Sequence, residues 1–145
     1  MKALVLYILL SIFVSPLYSQ ENSDLEIKIE GLRNTKGKLS ITLFNNEKGF
    51  PDNADKAFML QTIDLAKGPP LFIFKGLPGG KYAYAILHDE DNNNEMNKNM
   101  LGIPREGFGF SNNYRPRIKN PSYNDASFEL KPGKNSHTIE IVYYL

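Results

Sequence analysis

The residues with the most chemical potential form one run, HDEDNNNEMNKN, from His88 to Asn99. Asp89, Asp91, Asn93, Glu95, Asn97 and Asn99 place an oxygen-bearing side chain at every second position. A hard cation such as Ca2+ takes about six to eight oxygen ligands, and alternating Asp and Asn side chains on a loop can supply them. The run opens like an EF-hand loop, with Asp89, Asp91 and Asn93 at its first, third and fifth positions and the Glu95 carbonyl at its seventh. Two positions depart from that pattern. Asn94 stands where glycine is expected, at a backbone angle asparagine tolerates, and Met100 stands where the bidentate glutamate belongs. A metal site here takes Asp89, Asp91, Asn93, Glu95 and Asn97 as ligands and needs Glu106 or a backbone carbonyl to complete the shell. The competing reading is a solvated turn whose Asn and Asp side chains bond their own backbone.

Four further features bear on chemistry. His88 precedes the acidic run and is a candidate general base or metal ligand. Successive strand residues face opposite sides, so His88 and Asp89 do not pair naturally. No second histidine lies nearby, which favours a histidine that anchors the following loop through its ring nitrogens. His137 reads as a surface residue. Ser111 sits in the context GFSNN rather than in a nucleophile elbow. Its only nearby partners for hydrolysis are His88 and Asp89. The run REGFGFSNNYRPR, Arg105 to Arg117, interleaves glycine with Phe108, Phe110 and Tyr114. Exposed rings there, with Glu106, Asn112 and His88, would form a ligand-binding surface. The usual burial of aromatic side chains instead favours Phe108 and Phe110 tucked beneath the loop. Arg115, Arg117 and Lys119 read as a solvated basic stripe.

These residues need a frame, and the pattern around them is strand-like. Leu25, Ile27 and Ile29 alternate with charged residues, as do Leu39, Ile41 and Leu43 with polar ones. With the turn Arg33–Lys38 between them, the two strands read as an antiparallel hairpin. Residues 45–56 read as a connection with one helical turn begun at Asp52 or Asn53. Phe58–Leu65 is a third strand. In the next, Leu71, Ile73 and Lys75 face one way and Phe72 and Phe74 the other. Lys81–His88 is apolar on both faces, which places it at the centre of a sheet. Residues 89–124 show no strand pattern, and so long a connection is usually functional or specifically ordered. Ala126–Leu130 is a short strand, Pro132–Asn135 a turn and His137–Tyr144 the last strand. About seven strands predict an all-β, antiparallel two-sheet sandwich of immunoglobulin-like or transthyretin-like type.

Two adjoining segments carry a family resemblance: FKGLPGGKYAYAILHDEDNNNEMN, Phe74 to Asn97, and LGIPREGFGFSNN, Leu101 to Asn113. A strand ending in His-Asp, an Asn-rich acidic loop and a Gly-Phe-Gly-Phe-Ser-Asn run resemble the DUF2141 family of exported bacterial proteins. That resemblance implies a fold and a compartment and supplies no reaction. More loosely, Phe74, Leu77, Pro78, Gly80 and Tyr82 form F-x-x-L-P-x-G-x-Y, similar to the strand–turn–strand signature of transthyretin-like and adhesin B-type sandwich domains.

The N-terminus places the chain in the cell. Lys2 precedes a nearly unbroken apolar run, Ala3–Val14, broken by Pro16 and followed by the small residue Ser19. This is the layout of a secretory signal peptide cleaved after Ser19, and it is shorter than the roughly 20 apolar residues of a membrane span. Residues 1–19 are thus the expected signal and 20–145 one domain with a long ordered loop at about 89–120. No other stretch is apolar enough to span a bilayer. The seventeen basic residues include Lys2, so the remainder balances the sixteen acidic ones. Neutrality argues against nucleic acid or an anionic membrane as the main partner. Without cysteine, thiol catalysis, thiolate metal sites and disulfides are excluded. The expected protein is periplasmic or secreted, a non-enzymatic binding or structural module for an envelope or extracellular ligand or protein, with Ca2+ its candidate cofactor. The alternative is a hydrolase using His88 with Asp89 or Ser111.

Overall fold

The computed structural model describes residues 22–144; the signal-peptide segment expected at 1–19 lies outside them. Among the described residues eight strands form two sheets. They are β1 (Ser23–Glu30), β2 (Lys38–Phe44), β3 (Met59–Asp64), β4 (Leu71–Leu77), β5 (Gly80–Asp89), β6 (Gly107–Phe110), β7 (Phe128–Leu130) and β8 (Gly133–Glu140). One sheet has the order β4-β1-β8 and the other β3-β2-β5-β6, with β7 also paired to β5. The all-β sandwich expected from strand periodicity is therefore present. Between the sheets lie Leu25, Ile27, Ile29, Leu39, Ile41, Leu43, Phe72, Phe74, Tyr84, Ile86, Ile139 and Ile141, all buried. They are the apolar half of each alternation, since a period of two sends one set of side chains inward.

The structure corrects four expectations. First, β1 and β2 are not a hairpin. β1 pairs with β4 and β8, and β2 with β3 and β5. Alternation reports which face is buried, not which strand is the neighbour, and the connecting segment is long enough to cross the roughly 10 Å between packed sheets. Second, β1 and β8 run parallel in an otherwise antiparallel molecule. Third, there are eight strands because β6 lies inside the segment read as strandless. Its alternate glycines depress strand propensity, yet Gly109 faces Ile139 of β8 and Gly107 faces the segment just after it, where side chains have no room. A Cβ on Gly107 would lie 2.4 Å from Tyr143 Cε1 and 2.6 Å from Ile141 Cγ2. Fourth, β8 begins at Gly133, inside the expected turn. The turn after β2 falls at Ala54–Lys56, capped by Asn53, as its sequence predicts.

β5 is central and covered on both faces. Tyr82, Tyr84, Ile86 and His88 point between the sheets, while Ala83, Ala85 and Leu87 lie beneath a second apolar layer. Phe44, Phe50, Phe110 and Tyr123 build that layer through edge-to-face ring contacts, and Phe108 extends it to Tyr144. A short helix, α1 (Tyr123–Ala126), closes it, with Ser122 and Asp125 forming a capping box.

Candidate functional site

The C-terminal end of β5 delivers His88 inward and Asp89 outward, and both are fully buried. The turn before β2 holds that end in place. Gly37 sits so close to it that a Cβ would fall 2.0 Å from the Asp89 carbonyl oxygen, and its φ is +68°. Only glycine fits so tight an approach. Lys38 and Asp89 are directly opposite in the β2–β5 register, and their charges meet at 3.3 Å.

Asp89 organises the loop that follows. Its Oδ1 accepts the Asn93 N–H at 3.1 Å and its Oδ2 the Asn94 N–H at 2.8 Å. Asn92 and Asn94 take left-handed angles, φ 62° and 66°, at low cost for asparagine. This folds the chain back, and Glu106 closes it from the other side, accepting the N–H groups of Glu90 at 2.9 Å and Asn97 at 3.0 Å. Asp91 accepts the Asn93 N–H and the side-chain amide of Asn97. One ligand oxygen from each of Asp89, Asp91 and Glu106 lies within 4.8 Å of the others. Among the described residues this is the one group of three such side chains. A pocket of about 440 Å³ opens beside it, lined by Glu90, Asp91, Asn97, Lys98, Arg105 and Glu106.

The expected ligands thus separate. Asp89, Asp91 and Glu106 converge. Asn93 and Asn97 border the cluster, with their amide groups bonded to Asp91 and to each other. Glu95 instead lines a second depression with Asp52, Asn53 and Asp55. Sequence reasoning missed Lys38, whose role depends on strand register, and the Arg33–Glu90 ion pair that flanks the cluster. Hydrogen bonds from Arg33, with help from Asn34, hold the Glu90 carboxyl below the usual carboxylate range, against the opposing effect of burial.

His88 is an anchor. Its Nε2 bonds the Lys36 carbonyl at 2.9 Å, so that nitrogen donates. Nδ1 meets the Tyr143 hydroxyl at 2.6 Å, and Arg33 stacks over the Tyr143 ring at 4.6 Å. Ser111 is also engaged. Its Oγ donates to the Ala126 carbonyl and accepts the Tyr84 N–H at 3.1 Å, in full burial. Tyr84 and His88 are four residues apart on β5, roughly 13 Å at about 3.3 Å per residue. Asp89 points to the opposite face from His88. The geometry therefore assembles no nucleophile–base pair from these residues. Phe108 and Phe110 are buried, and Asn112 binds the carbonyls of Ala126 and Ser127. His137 is not the surface residue expected. It is half-buried, with Nδ1 at 2.9 Å from the Tyr84 hydroxyl and Phe128 against its ring. Burial lowers its pKa. Alternation puts it on the same face as Ile139 and Ile141, where Tyr84 of β5 and Phe128 of β7 pack against it.

The sequence pattern described as an uncharacterised protein family conserved in bacteria, DUF2141, matches residues 27–138. The chain belongs to the DUF2141 family. The match runs from the middle of β1 to most of β8, so the Asp/Asn loop and the Gly-Phe-Gly-Phe strand both fall within the DUF2141 region. Comparison with curated proteins and with solved structures returned no match.

Proposed function

We propose that this DUF2141 protein is an exported, non-enzymatic binding or structural module of the bacterial envelope or exterior, and that Ca2+ organises its 89–106 loop. The observation that carries the reading is the convergence of Asp89, Asp91 and Glu106. Lys38 is ion-paired with Asp89 at 3.3 Å, and a divalent ion would add neutralisation where Asp91 and Glu106 meet it. The ligands are hard oxygens, as calcium requires. The loop also carries EF-hand-like features, with Asp89 accepting the amides four and five residues on and a left-handed residue at Asn94. Glu106 supplies the carboxylate missing at Met100. Export rests on the apolar N-terminal segment. The non-enzymatic reading rests on His88 and Ser111, each committed to backbone and separated along β5. Among the described residues no helix is long and apolar enough to cross a membrane.

The test is thermal unfolding of residues 20–145, which carry every strand, in millimolar CaCl2 against chelator at matched ionic strength. At about 100 times the dissociation constant, linkage gives roughly 2.7 kcal/mol and several degrees in Tm. The affinity expected is in the range of about 10⁻⁴–10⁻³ M known for extracellular modules. Absence of a shift in the native protein, or an equal shift in Asp89→Ala/Asp91→Ala, would return the loop to an ordinary polar turn. Turnover of ester, glycoside or peptide substrates that vanishes in a folded His88→Ala variant would establish the hydrolase instead.

A further inference from the structure

The two lateral edges of the sandwich are finished differently. At one, β6 and β8 are stitched together. Phe108 and Val142 exchange backbone bonds, and the Asn113 side chain accepts the Glu140 N–H and donates to the Thr138 carbonyl, both at 2.9 Å. At the other, β3 and β4 each have one strand neighbour, β2 and β1. The β4 edge is guarded. The Gln61 side chain donates to the Ile73 carbonyl at 3.0 Å, Pro69 and Pro70 precede the strand, and Lys75 lies on it. β3 has none of these devices. Residues 59–63 contain no charge, proline or glycine, the residues with which proteins blunt an exposed edge.

The bonding phase of β3 decides which backbone groups are open. Leu65 N–H donates to the Gly37 carbonyl, continuing the register that sets Asp64 opposite Lys38. Antiparallel bonding alternates along a strand. Ile63 and Gln61 therefore also turn their backbone groups to β2, and Leu60 and Thr62 turn theirs outward. Two strands away the phase is the same: Tyr84 N–H points away from β2 to Ser111, so Thr42 bonds β5 and Ile41 is left to bond Gln61. The open groups lie in apolar surroundings, with Leu60 55% exposed, Ile73 44% and Phe58 40%. Met100, Leu101 and Ile118 are more exposed but lie in turns and bends, with no open ladder to extend.

We propose that β3 is a docking edge for a second copy of this chain, the two β3 strands pairing antiparallel about a two-fold axis at Leu60. Charge selects this occupant and this direction. Lys56 and Asp64 bracket the strand, equidistant from Leu60. Lys56 is exposed and forms no ion pair among the described residues. Asp64 binds Lys67 of its own chain, yet its side chain stays 44% exposed. An antiparallel copy sets each Lys56 against Asp64 of the other chain, whereas a parallel copy sets like charges together, which repel. On the same axis Leu60 meets its own copy and exchanges both backbone bonds with it. Phe58 meets Thr62 of the second copy, an aromatic ring against a β-branched side chain. The two β3-β2-β5-β6 sheets become one, the strand-addition mode of recognition. A two-fold contact uses the same edge on both copies and closes at two. β6, at the far end, is already bonded to Val142, so growth stops there.

The experiment is sedimentation velocity of residues 20–145 over a concentration series up to about 1 mM, the range of a weak interface, with amide hydrogen exchange at both ends of the series. A monomer–dimer equilibrium without larger species is expected. The Leu60 and Thr62 N–H groups should exchange more slowly at the high concentration. Leu60→Lys removes apolar burial and sets like charges against each other across the axis, so it should weaken association at least about tenfold with the circular dichroism spectrum unchanged. Lys56→Asp and Asp64→Lys should each weaken it about two- to fivefold, and the double swap should restore it. Met100→Ser/Leu101→Ser should change nothing. A monomer throughout the series overturns the proposal, as does a dimer with unprotected Leu60 and Thr62 amides or one that Leu60→Lys leaves intact. A double swap weaker than either single variant overturns the antiparallel two-fold. Loss of the dimer in Met100→Ser/Leu101→Ser assigns the contact to another surface and overturns it too. Exchange is read on the native protein, so it decides the matter even if Leu60→Lys fails to fold.

Discussion

The long connection between β5 and β7 has two halves held together by opposite means. In residues 89–106, buried carboxylates accept backbone N–H groups: Asp89 takes two, and Glu106 two more. In residues 107–127, glycines bring β6 onto β8, phenylalanines fill the outer layer, and the uncharged groups of Ser111 and Asn112 bind carbonyls. The first half is an electrostatic construction and the second a packing one. The proposed cation would act on the first half and leave the second, with its packed glycines and phenylalanines, untouched.

Substitutions should separate the halves. The largest loss is expected at Gly107. Gly107→Ala forces a methyl group against Ile141 and Tyr143, an overpacking that costs about 3 kcal/mol, to be read by urea unfolding. The loss should be the same in calcium and in chelator. Ser111→Ala is next. It strands the buried Tyr84 N–H and removes the donor to the Ala126 carbonyl, a cost of about 2 kcal/mol, again independent of calcium.

Asn94→Ala belongs to the other half. It loses the side chain bound to Lys38 and puts alanine at a left-handed angle, which costs about 1 kcal/mol. Asn94→Gly should cost less than Asn94→Ala. If calcium leaves the gap between native protein and Asn94→Ala unchanged, the loop is not the ion-responsive half.

The smallest effect is a pH dependence. Burial holds the His137 pKa in the fold below its ordinary value of 6.5. The unfolded chain therefore binds the proton first, and stability falls as pH drops through 6.5 toward the lower folded value. His137→Phe should flatten that part of the Tm–pH curve. An unchanged slope would place the titration elsewhere.

How much of this was legible in sequence follows from the physics of each signal. Inward-facing residues such as Ile27, Ile41 and Phe74 announce themselves by period, so the sandwich was readable. The convergence of Asp89 with Asp91 was foreshadowed by local spacing, and Glu106 was named as a closing ligand. Sheet membership was not readable, because β1 and β2 carry the same alternation whether they pair or face each other. β6 was hidden for a different reason. The glycines that make it fit against Tyr143 are the residues that make it look like a loop. Lys38 and Tyr143 reach the β5 end only through register and sheet packing, which no local pattern records.

The parallel pairing of β1 with β8 carries one more consequence. β1 is the middle strand of its sheet, bonded to β4 on one side and to the last strand on the other. Its second edge stays bare until β8 arrives. Gly133–Glu140 meets Ser23–Glu30 across more than a hundred residues, a contact of high sequence separation, which folds slowly because the ends must find each other before the reward comes. That edge of β1 therefore stays open until residues 133–140 have been made, and the sheet closes only when they dock alongside residues 23–30.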